Sequence, residues 1–306
     1  MLWALVQSLE FYPSLFCIYY FAIDSRTRAY SYAWLVIYSK SIGLGAFDDW
    51  PSKLSISFFN LQYEIRQLPN ANIDNIELND YLDIACGTGN VTINLDHATF
   101  NSNESSGSDG GAIAYEKGNI TSNIINSTFT NNTANNGGAI YNGIKGLTIS
   151  NTIFDGNKTN DGGKGGAIYN AGNISLSQTE FKQSTDTIYM ANDSAADFSG
   201  TNTLNGSISS ENATSEIKNK GTLILNADNS GYTGTYTQES GQTDVNASST
   251  FFGGETTIAD GVLNWNTLKN YNSTLKVEKG SLNIGNVSKA SLSLNSNSYI
   301  KKDTLV

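Results

Sequence analysis

Short segments in which every second residue is apolar recur along the chain from about residue 89 onward. Examples are GNVTINL (89–95), GLTISN (146–151) and GNISLSQ (172–178). Alternation of this kind, with β-branched neighbours, is typical of strands that bury one face. No segment has a sustained helical period. The pattern therefore predicts many short strands joined by turns rich in Asn and Gly.

These strands belong to a longer repeat. The copies are HATFNSNESSGSDGGAIAY (97–115), NSTFTNNTANNGGAIYN (126–142), NTIFDGNKTNDGGKGGAIYN (151–170) and a degenerate fourth, QTEFKQSTDTIYM (178–190). Each of the first three carries Phe-x-x-Asn followed by Gly-Gly-Ala-Ile, at intervals of 25 to 29 residues. A period of 20 to 50 residues indicates a solenoid or a propeller. We interpret each repeat as one coil of a right-handed parallel β-helix, which makes the predicted fold class all-β.

Coils of a β-helix stack about 4.8 Å apart, so equivalent side chains should form columns. We expect the four phenylalanines of the repeat to stack in the interior, and the three Asn residues to form an amide ladder like those of cross-β assemblies. The glycine pair would supply backbone angles that other residues avoid. The phenylalanines are Phe100, Phe129, Phe154 and Phe181, and the asparagines are Asn103, Asn132 and Asn157.

Composition divides the chain into three parts. Residues 1–80 form an atypical aromatic-rich extension, because only two of the 29 glycines precede residue 82 but three of the four tryptophans do. Residues 81–200 carry the repeat, and residues 201–306 continue as a β-solenoid with different strand repeats. The apolar runs at 15–23 and 33–39 are shorter than the roughly 20 residues that span a bilayer. The extension is either packed on the solenoid or a degraded signal or membrane-associating segment.

The segment YLDIACGTGNVTI (81–93) resembles the cofactor loop of S-adenosylmethionine-dependent methyltransferases. In that fold a helix follows the glycine turn, whereas here the strand-like Val-Thr-Ile-Asn-Leu follows Gly89. No alternation of strands and helices comes after it. We therefore interpret this segment as part of the first or second coil.

Charge and residue counts exclude several kinds of site. The net charge of −10 and a pI near 4.6 disfavour a nucleic-acid partner, because phosphate neutralisation needs clustered Lys and Arg. The single histidine, His97, cannot build a His-based metal or catalytic cluster. Cys17 and Cys86 provide neither a disulfide framework nor metal-ligand spacing. No cofactor is predicted.

Repeated Phe-x-x-Asn with Gly-Gly-Ala-Ile resembles the passenger domains of bacterial autotransporters, particularly the polymorphic outer-membrane protein group. Residues 97–190 carry these motifs, and GTLILN (221–226), GVLNWN (261–266), GSLNIGN (280–286) and ASLSLN (290–295) are similar to later passenger repeats. The resemblance implies secretion through an outer-membrane translocator barrel, a β-helical stalk at the bacterial cell surface or outside the cell, and adhesion to host-cell or matrix glycans or proteins. The terminus YIKKDTLV lacks the aromatic ending of such barrels, so we expect the anchor outside this sequence, and we find no clear signal peptide.

Parallel β-helices also house polysaccharide lyases and glycosidases, which gives the main alternative function. Lyases of that shape resemble one another in using Arg or Lys, but all three arginines precede residue 81. Glycosidases need two carboxylates at a defined separation. The aspartates available by type lie in turn-like contexts that favour Asp for backbone reasons. They are Asp155, Asp161, Asp186 and Asp193, and we predict that the chain is not an enzyme.

Tyr141, Tyr169 and Tyr189 each follow the isoleucine of their coil, so they should share the outward face of one sheet. Such an aromatic column is either a surface ladder of structural value or a surface that binds sugars or peptides. We name these three residues as the ligand-facing candidates.

Overall fold

The structure is a computed structural model. It describes residues 90–286 apart from 106, 117, 184, 247–250 and 268–270, and outside that range only the backbone of short strands: Ile18–Tyr19, Ala33–Trp34, Tyr63–Glu64, Asn70–Asp74, Glu77–Leu78, Leu82–Ile84, Ser293–Leu294 and Tyr299–Ile300. Throughout this described part the regular elements are β-strands, and no helix is long and apolar enough to cross a lipid bilayer.

Most described strands lie in three parallel sheets. Sheet 1 contains Asn70–Asp74, Asn90–Asp96, Asn119–Ile125, Gly146–Ser150, Asn173–Ser177, Ala195–Ser199, Glu216–Asn219, Thr235–Gln238, Thr256–Ile258, Leu275–Val277 and Tyr299–Ile300. Sheet 2 contains Glu77–Leu78, Thr99–Asn101, Thr128–Thr130, Ile153–Asp155, Glu180–Phe181, Thr201–Leu204, Thr222–Leu225, Gln242–Val245, Val262–Thr267 and Ser281–Asn286. Sheet 3 contains Tyr63–Glu64, Leu82–Ile84, Ile113–Tyr115, Ile140–Asn142, Ile168–Asn170, Ile188–Met190 and Ile208–Ser210.

Three further pairs of strands lie outside these sheets. Thr133–Ala134 pairs in parallel with Lys158–Thr159, and Asn272–Ser273 with Ser293–Leu294. Ile18–Tyr19 pairs antiparallel with Ala33–Trp34.

The chain visits sheet 1, sheet 2 and sheet 3 in turn and then returns to sheet 1 one level further along the axis. Neighbouring strands are parallel, as in the pairing of Asn119–Ile125 with both Asn90–Asp96 and Gly146–Ser150. Because each coil cannot complete its sheets alone, its hydrogen bonds are supplied by the coils above and below. The predicted all-β parallel β-helix is confirmed.

Two kinds of coil make up the described solenoid. Residues 90–210 contribute to all three sheets, and we call them the three-sided coils. Equivalent strand positions in successive coils are 29, 25 and 27 residues apart over the first three steps of sheet 1. Residues 216–286, the two-sided coils, contribute no described strand to sheet 3, and equivalent positions are 19 or 20 residues apart. The solenoid therefore narrows along its axis.

The interior of the three-sided coils contains the predicted phenylalanine stack. Phe100, Phe129, Phe154 and Phe181 are fully buried, and successive ring centroids are 4.6, 5.0 and 4.7 Å apart. Strand register continues the column through Leu204, Leu225, Val245 and Trp265. Each fully buried phenylalanine contributes roughly 2–3 kcal/mol of burial free energy.

The asparagine ladder is confirmed beside this stack. Asn103 Nδ2 donates to Asn132 Oδ1 at 2.8 Å, and Asn132 Nδ2 donates to Asn157 Oδ1 at 2.8 Å. The ladder continues weakly to Gln183 Oε1 at 3.5 Å, where the longer Gln side chain replaces Asn in the degenerate repeat. All three Asn side chains are buried, so pairing removes a cost of about 1–3 kcal/mol for each unsatisfied amide.

The two glycines of each pair have different roles. The first has a left-handed backbone, with φ of 61° at Gly137, as we expected. The second does not, but a Cβ on Gly138 would lie far inside van der Waals contact of the Gly166 and Lys158 carbonyl oxygens. The second glycine is therefore required by the close approach of neighbouring coils, which the sequence reasoning missed.

The segment that resembles a methyltransferase loop is part of the solenoid. Leu82–Ile84 lies in sheet 3 beside Ile113–Tyr115, and Asn90–Asp96 lies in sheet 1 beside Asn119–Ile125. Strands as early as Tyr63–Glu64 also pair in parallel with later ones. The division at residues 80 and 200 stays a prediction. Most of the N-terminal extension, with its apolar runs, and both cysteines lie outside the described residues.

Candidate functional site

The three candidate tyrosines form one column on the outer face of sheet 3. Tyr141, Tyr169 and Tyr189 are paired in register, and their ring centroids are 5.2 and 5.1 Å apart. Each follows a buried isoleucine, so strand alternation directs the ring outward. Tyr141 and Tyr169 are half-buried, whereas Tyr189 is only 3% exposed. The predicted column exists, and its contact with a ligand stays a prediction.

The stacking of the rings determines which parts of the tyrosines a ligand can contact. The rings of Tyr141 and Tyr169 are nearly parallel, with an interplanar angle of 14°, so each covers a face of the other. A sugar that packs on an aromatic ring needs a free face. The Tyr141 face that is turned toward Ala114 carries no other ring, and elsewhere the column presents ring edges. It also presents a row of phenol hydroxyls, which both donate and accept hydrogen bonds.

A lysine covers one end of the column. Lys164 Nζ donates to the Tyr189 hydroxyl at 2.8 Å and lies 4.4 Å from the centroid of that ring. The hydrogen bond raises the pKa of Lys164, so its ammonium is fully charged at neutral pH. Lys164 and the stacked Tyr169 ring together cover Tyr189, which is buried although it stands on an outward face.

Lys164 belongs to a second column that runs beside the tyrosines. The residue before each glycine pair is Asp109, Asn136 or Lys164. Asn136 Nδ2 donates to Asp109 Oδ1 at 3.0 Å, and the Lys164 backbone N–H donates to Asn136 Oδ1 at 3.1 Å. The sequence reasoning passed over these residues, although their fixed place before the glycines was a usable signal.

On the other side of the tyrosines the surface is lined by small residues. Gly143, Ala171 and Ala191 stand two positions after the tyrosines, and backbone hydrogen bonds hold them in one column. Glu116 precedes this column and Glu211 follows it, both exposed. The flat strip therefore has a carboxylate at each end.

Burial and charge raise the pKa values of the phenols. The pKa of Tyr169 is about 12, chiefly because the ring is partly removed from water and then because of neighbouring tyrosines and carboxylates. Burial also raises the pKa of Tyr141, with further contributions from Asp109 and Glu116. These hydroxyls are therefore protonated at neutral pH.

Asp186 lies at the Lys164 end of the surface and is held by hydrogen bonds. It accepts from the Gly165 backbone N–H at 2.5 Å and from Ser209 Oγ at 3.1 Å. Burial raises the pKa of its carboxyl, and these two hydrogen bonds oppose that rise. Asp186 itself stands opposite the second glycine of the third repeat, since the Gly166 backbone N–H donates to its carbonyl oxygen at 2.8 Å.

A second asparagine ladder lies directly behind the tyrosines. Asn142 Nδ2 donates to Asn170 Oδ1 at 2.7 Å, and both side chains are buried. In the preceding coil the equivalent position is Tyr115, whose hydroxyl is 2.6 Å from Ser122 Oγ. The Tyr-Asn pair that ends the second and third repeats signals this ladder, and the sequence reasoning missed it.

The four aspartates weighed as catalytic groups stand at different corners of their coils. Asp155 ends a strand of sheet 2, whereas Asp161 lies in the following loop and lines an open groove with Glu104 and Lys158. Asp186 precedes a strand of sheet 3, and Asp193 is an exposed turn residue with φ of 59°. The four aspartates therefore do not share one groove, and Asp161 shares its groove with Glu104.

His97 occupies the corner between sheets 1 and 2. Its φ is 52°, a left-handed conformation that Asn126 and Asn151 share in the next two coils. Its Nδ1 lies 2.8 Å from Asp96 Oδ1, and the side chain is 58% exposed. Across the described residues there is no group of three or more His, Cys, Asp or Glu side chains arranged to hold a metal ion.

Comparison with known families identifies the repeat. Residues 126–143 and 151–171 match the model of the Chlamydia polymorphic membrane protein (Chlamydia_PMP) repeat. No curated protein and no solved structure gives a significant match to the chain. Together with the β-solenoid, the repeat confirms the predicted resemblance to a Pmp-like autotransporter passenger. That family consists of outer-membrane or surface proteins without enzymatic activity, so the chain resembles a surface-exposed bacterial passenger.

Proposed function

We propose that this chain is an adhesive, non-enzymatic segment of a bacterial surface passenger, and that its ligand contacts lie on the outer face of sheet 3. We call this surface the tyrosine face: Tyr141, Tyr169 and Tyr189 with the flanking columns of Asp109, Asn136 and Lys164 and of Gly143, Ala171 and Ala191. The observation that carries the proposal is the half-buried tyrosine pair on an otherwise polar solenoid.

The repeated motif residues themselves are unavailable to a partner. Phe154 and Asn157 are at most 1% exposed, and so are the Phe and Asn of the two preceding repeats. They build the scaffold, and only the outward columns remain to make contacts. Tyrosine is favoured in such surfaces because its large ring loses little conformational entropy on binding.

The charges around the tyrosine face select the chemistry of the partner. Asp109, Glu116 and Glu211 contribute negative charge, while the charge of Lys164 is engaged with Tyr189. The field therefore repels polyanions such as sulfated glycans or nucleic acids. A neutral host-cell or matrix glycan, or a protein surface without excess negative charge, fits the row of phenol hydroxyls. In the intact surface protein an outer-membrane translocator barrel would deliver this segment to the outside.

Saturable binding of the full chain to host cells, mucin or a glycan array tests this function. We expect Tyr141→Ala to weaken binding about tenfold, because a truncated interface tyrosine costs at least about 1.4 kcal/mol. Thr148→Ala is the matched control, since Thr148 is exposed on the outer face of sheet 1. Circular dichroism verifies that both variants keep the fold.

Two results would contradict the proposal. A purely architectural stalk shows no saturable binding to any of these surfaces. A carbohydrate-active enzyme releases sugar or unsaturated products from polysaccharides, and that turnover disappears when a single aspartate is replaced.

A further inference from the structure

Two of the tyrosines that the structure describes are more exposed to solvent than the others. Between residues 92 and 285 the chain contains seven tyrosines. Tyr141 and Tyr169 are half-buried, whereas the remaining five are buried: Tyr115, Tyr189, Tyr232, Tyr236 and Tyr271. The two accessible phenols are also stacked on each other, with centroids 5.2 Å apart. An oxidant in solution therefore meets a preassembled pair.

The solenoid holds this pair in register more firmly than a loop could. Tyr141 and Tyr169 are directly opposed in parallel strands of sheet 3, with Ile140 and Ile168 fully buried on the inner side. The backbones are thus fixed about 4.8 Å apart. The ring planes follow the backbone less strictly, since the interplanar angle is 14° between Tyr141 and Tyr169 and 30° between Tyr169 and Tyr189. Such fixed proximity makes a reaction between the two rings effectively unimolecular.

We propose that Tyr141 and Tyr169 are a site of oxidative cross-linking, in which their rings are joined as dityrosine. The co-substrate is hydrogen peroxide, used by a haem peroxidase that removes one electron at a time. Each phenol loses one electron and its hydroxyl proton to give a phenoxyl radical. The two radicals form one carbon–carbon bond between ortho positions, and each ortho hydrogen then moves to its phenol oxygen. The two electrons and two protons convert one peroxide into two waters.

The charges around the pair favour the first step of this chemistry at Tyr141. Asp109 and Glu116 both act electrostatically on the Tyr141 phenol. Their negative potential stabilises the ring as it loses an electron. Tyr189 differs, because Lys164 occupies its hydroxyl and places a positive charge beside its ring. The cross-link is therefore directed to the Tyr141–Tyr169 pair, and Tyr189 is protected.

The product would be a covalent staple between adjacent coils. It joins residues that are 28 positions apart in the chain, on the outside of the solenoid. Other readily oxidised side chains in the described interior are shielded, since Met190 and Trp265 are at most 1% exposed. The reaction would thus lock two coils of a surface-exposed stalk without damaging the core.

Peptide mapping of the full chain after treatment with peroxidase and hydrogen peroxide tests this site. Trypsin places each tyrosine on its own peptide: Tyr141 on 118–145, Tyr169 on 165–182 and Tyr189 on 183–218. We expect peptide 118–145 joined to 165–182, with a mass two hydrogens below the sum, in the monomer band of a denaturing gel. Dityrosine fluorescence should appear in the same band.

Conservative variants provide the controls. Tyr141→Phe and Tyr169→Phe should each abolish this peptide pair, because phenylalanine keeps the stacked ring but forms no phenoxyl radical. Tyr189→Phe should leave its yield unchanged. The proposal is overturned if the joined peptides occur only in dimers, if 165–182 is joined to 183–218 instead, or if the chain unfolded in urea gives the same yield as the folded chain.

Discussion

The three-sided and two-sided coils pack aromatic rings in different ways. In the three-sided coils the rings of Phe100, Phe129 and Phe154 are parallel within 9°. In the two-sided coils the interior rings meet at 43° to 88°, as between Tyr236 and Phe251. Isolated aromatic pairs favour offset-stacked or edge-to-face contacts. The three-sided coils use only the parallel arrangement, because the strand register places each phenylalanine directly opposite the next.

The cause of this difference is the regularity of the sequence. In the three-sided coils one phenylalanine recurs at one position of the coil, so hydrogen-bonded strands align the rings. In the two-sided coils the aromatics come from different positions of their coils: Tyr232, Tyr236, Phe251, Phe252, Trp265 and Tyr271. A strict repeat thus produces a ladder, and an irregular one produces a mixed cluster like that of an ordinary protein core.

The glycine columns differ in the same way. The three-sided coils have close-approach glycines before sheet 3, at Gly138 and Gly166. The two-sided coils have theirs at the corner between sheets 1 and 2, where added Cβ atoms on Gly221, Gly241 and Gly261 would overlap the carbonyl of the preceding coil. Both types of coil also have close-approach glycines elsewhere, such as Gly172 and Gly254, so each column marks one of several tight approaches between neighbouring coils.

Truncation of the stacked column should have the largest effect. Phe154→Ala removes a fully buried ring between two others, and we expect a loss of about 3–5 kcal/mol in the free energy of unfolding. Val245→Ala, at the equivalent position of a two-sided coil, should cost about 2 kcal/mol. Hydrogen exchange measured by mass spectrometry locates the loss, because coils open locally. Equal costs, or exchange that rises uniformly along the chain, would contradict this assignment.

A methyl group at the close-approach glycine should cost somewhat less. In Gly138→Ala the new Cβ overlaps two backbone carbonyls, which must move apart, and we expect a loss of about 3 kcal/mol. Gly162→Ala is the matched control in the next coil: its φ is 81°, but nothing lies within 4 Å of the added Cβ. Left-handed strain alone should cost about 1–2 kcal/mol. Thermal unfolding followed by circular dichroism compares the two, and a larger effect at Gly162 would show that backbone angle outweighs coil spacing.

Much of the three-sided region could be predicted from the sequence because its repeat is nearly strict. Phe-x-x-Asn is kept at 129–132 and at 154–157, and each motif aligns with its copy in the next coil by strand spacing, although the loop that leads to Gly-Gly-Ala-Ile differs in length. The tyrosine column was found by the same reasoning. What could not be predicted depends on contacts between different positions, such as the contact of Lys164 with Tyr189. The burial of Tyr189 depends on this contact, whereas the stacking of Tyr141 on Tyr169 follows from the register of the column itself.

The two-sided coils were harder to predict for a related reason. Their strands follow from the Gly-x-Leu pattern, but no repeated residue in the sequence indicates that the described strands of sheet 3 end at Ile208–Ser210. The polar cluster of Tyr236, Gln238 and Thr243 is also invisible in the sequence, since its members are close only after the corner between sheets 1 and 2 forms. Asn219 from the preceding coil completes it by donating to Thr243 Oγ1 at 2.9 Å.

The buried and exposed asparagine ladders should differ in their contribution to stability. Asn132→Ala removes one buried side-chain hydrogen bond from each of the Asn103 and Asn157 amides, and we expect a loss of about 2 kcal/mol. In the two-sided coils Asn226 donates to Asn205 at 2.8 Å on the partly exposed outer face. Water replaces this bond, so Asn226→Ala should cost about 0.5 kcal/mol. Urea unfolding measures both, and similar losses would show that burial does not decide the strength of the ladder.

The dependence of the free energy of unfolding on pH should show the smallest difference between the two types of coil, but it reports on single buried tyrosines. Burial raises the pKa of Tyr236, and its hydrogen bond with Thr243 only partly offsets this rise. An unfolded tyrosine ionises near pH 10, so above about pH 10 the folded chain keeps a proton that the unfolded chain has lost. Stability therefore falls as the pH rises above that value.

Tyr236→Phe removes this titration, so its effect on stability should change with pH. At neutral pH the variant should be less stable by about 1 kcal/mol, because it loses the hydrogen bonds of the hydroxyl to Thr243 and Gln238. That deficit should shrink and then reverse above about pH 10, by at most 1.4 kcal/mol per pH unit. Tyr115→Phe is the corresponding variant in the three-sided coils. The Tyr115 hydroxyl has one side-chain partner, Ser122, so this variant should lose less stability at neutral pH than Tyr236→Phe. Urea unfolding of both variants at neutral and alkaline pH makes the comparison. A Tyr236→Phe deficit that grows with pH would mean that the phenol ionises more readily in the fold than in the unfolded chain.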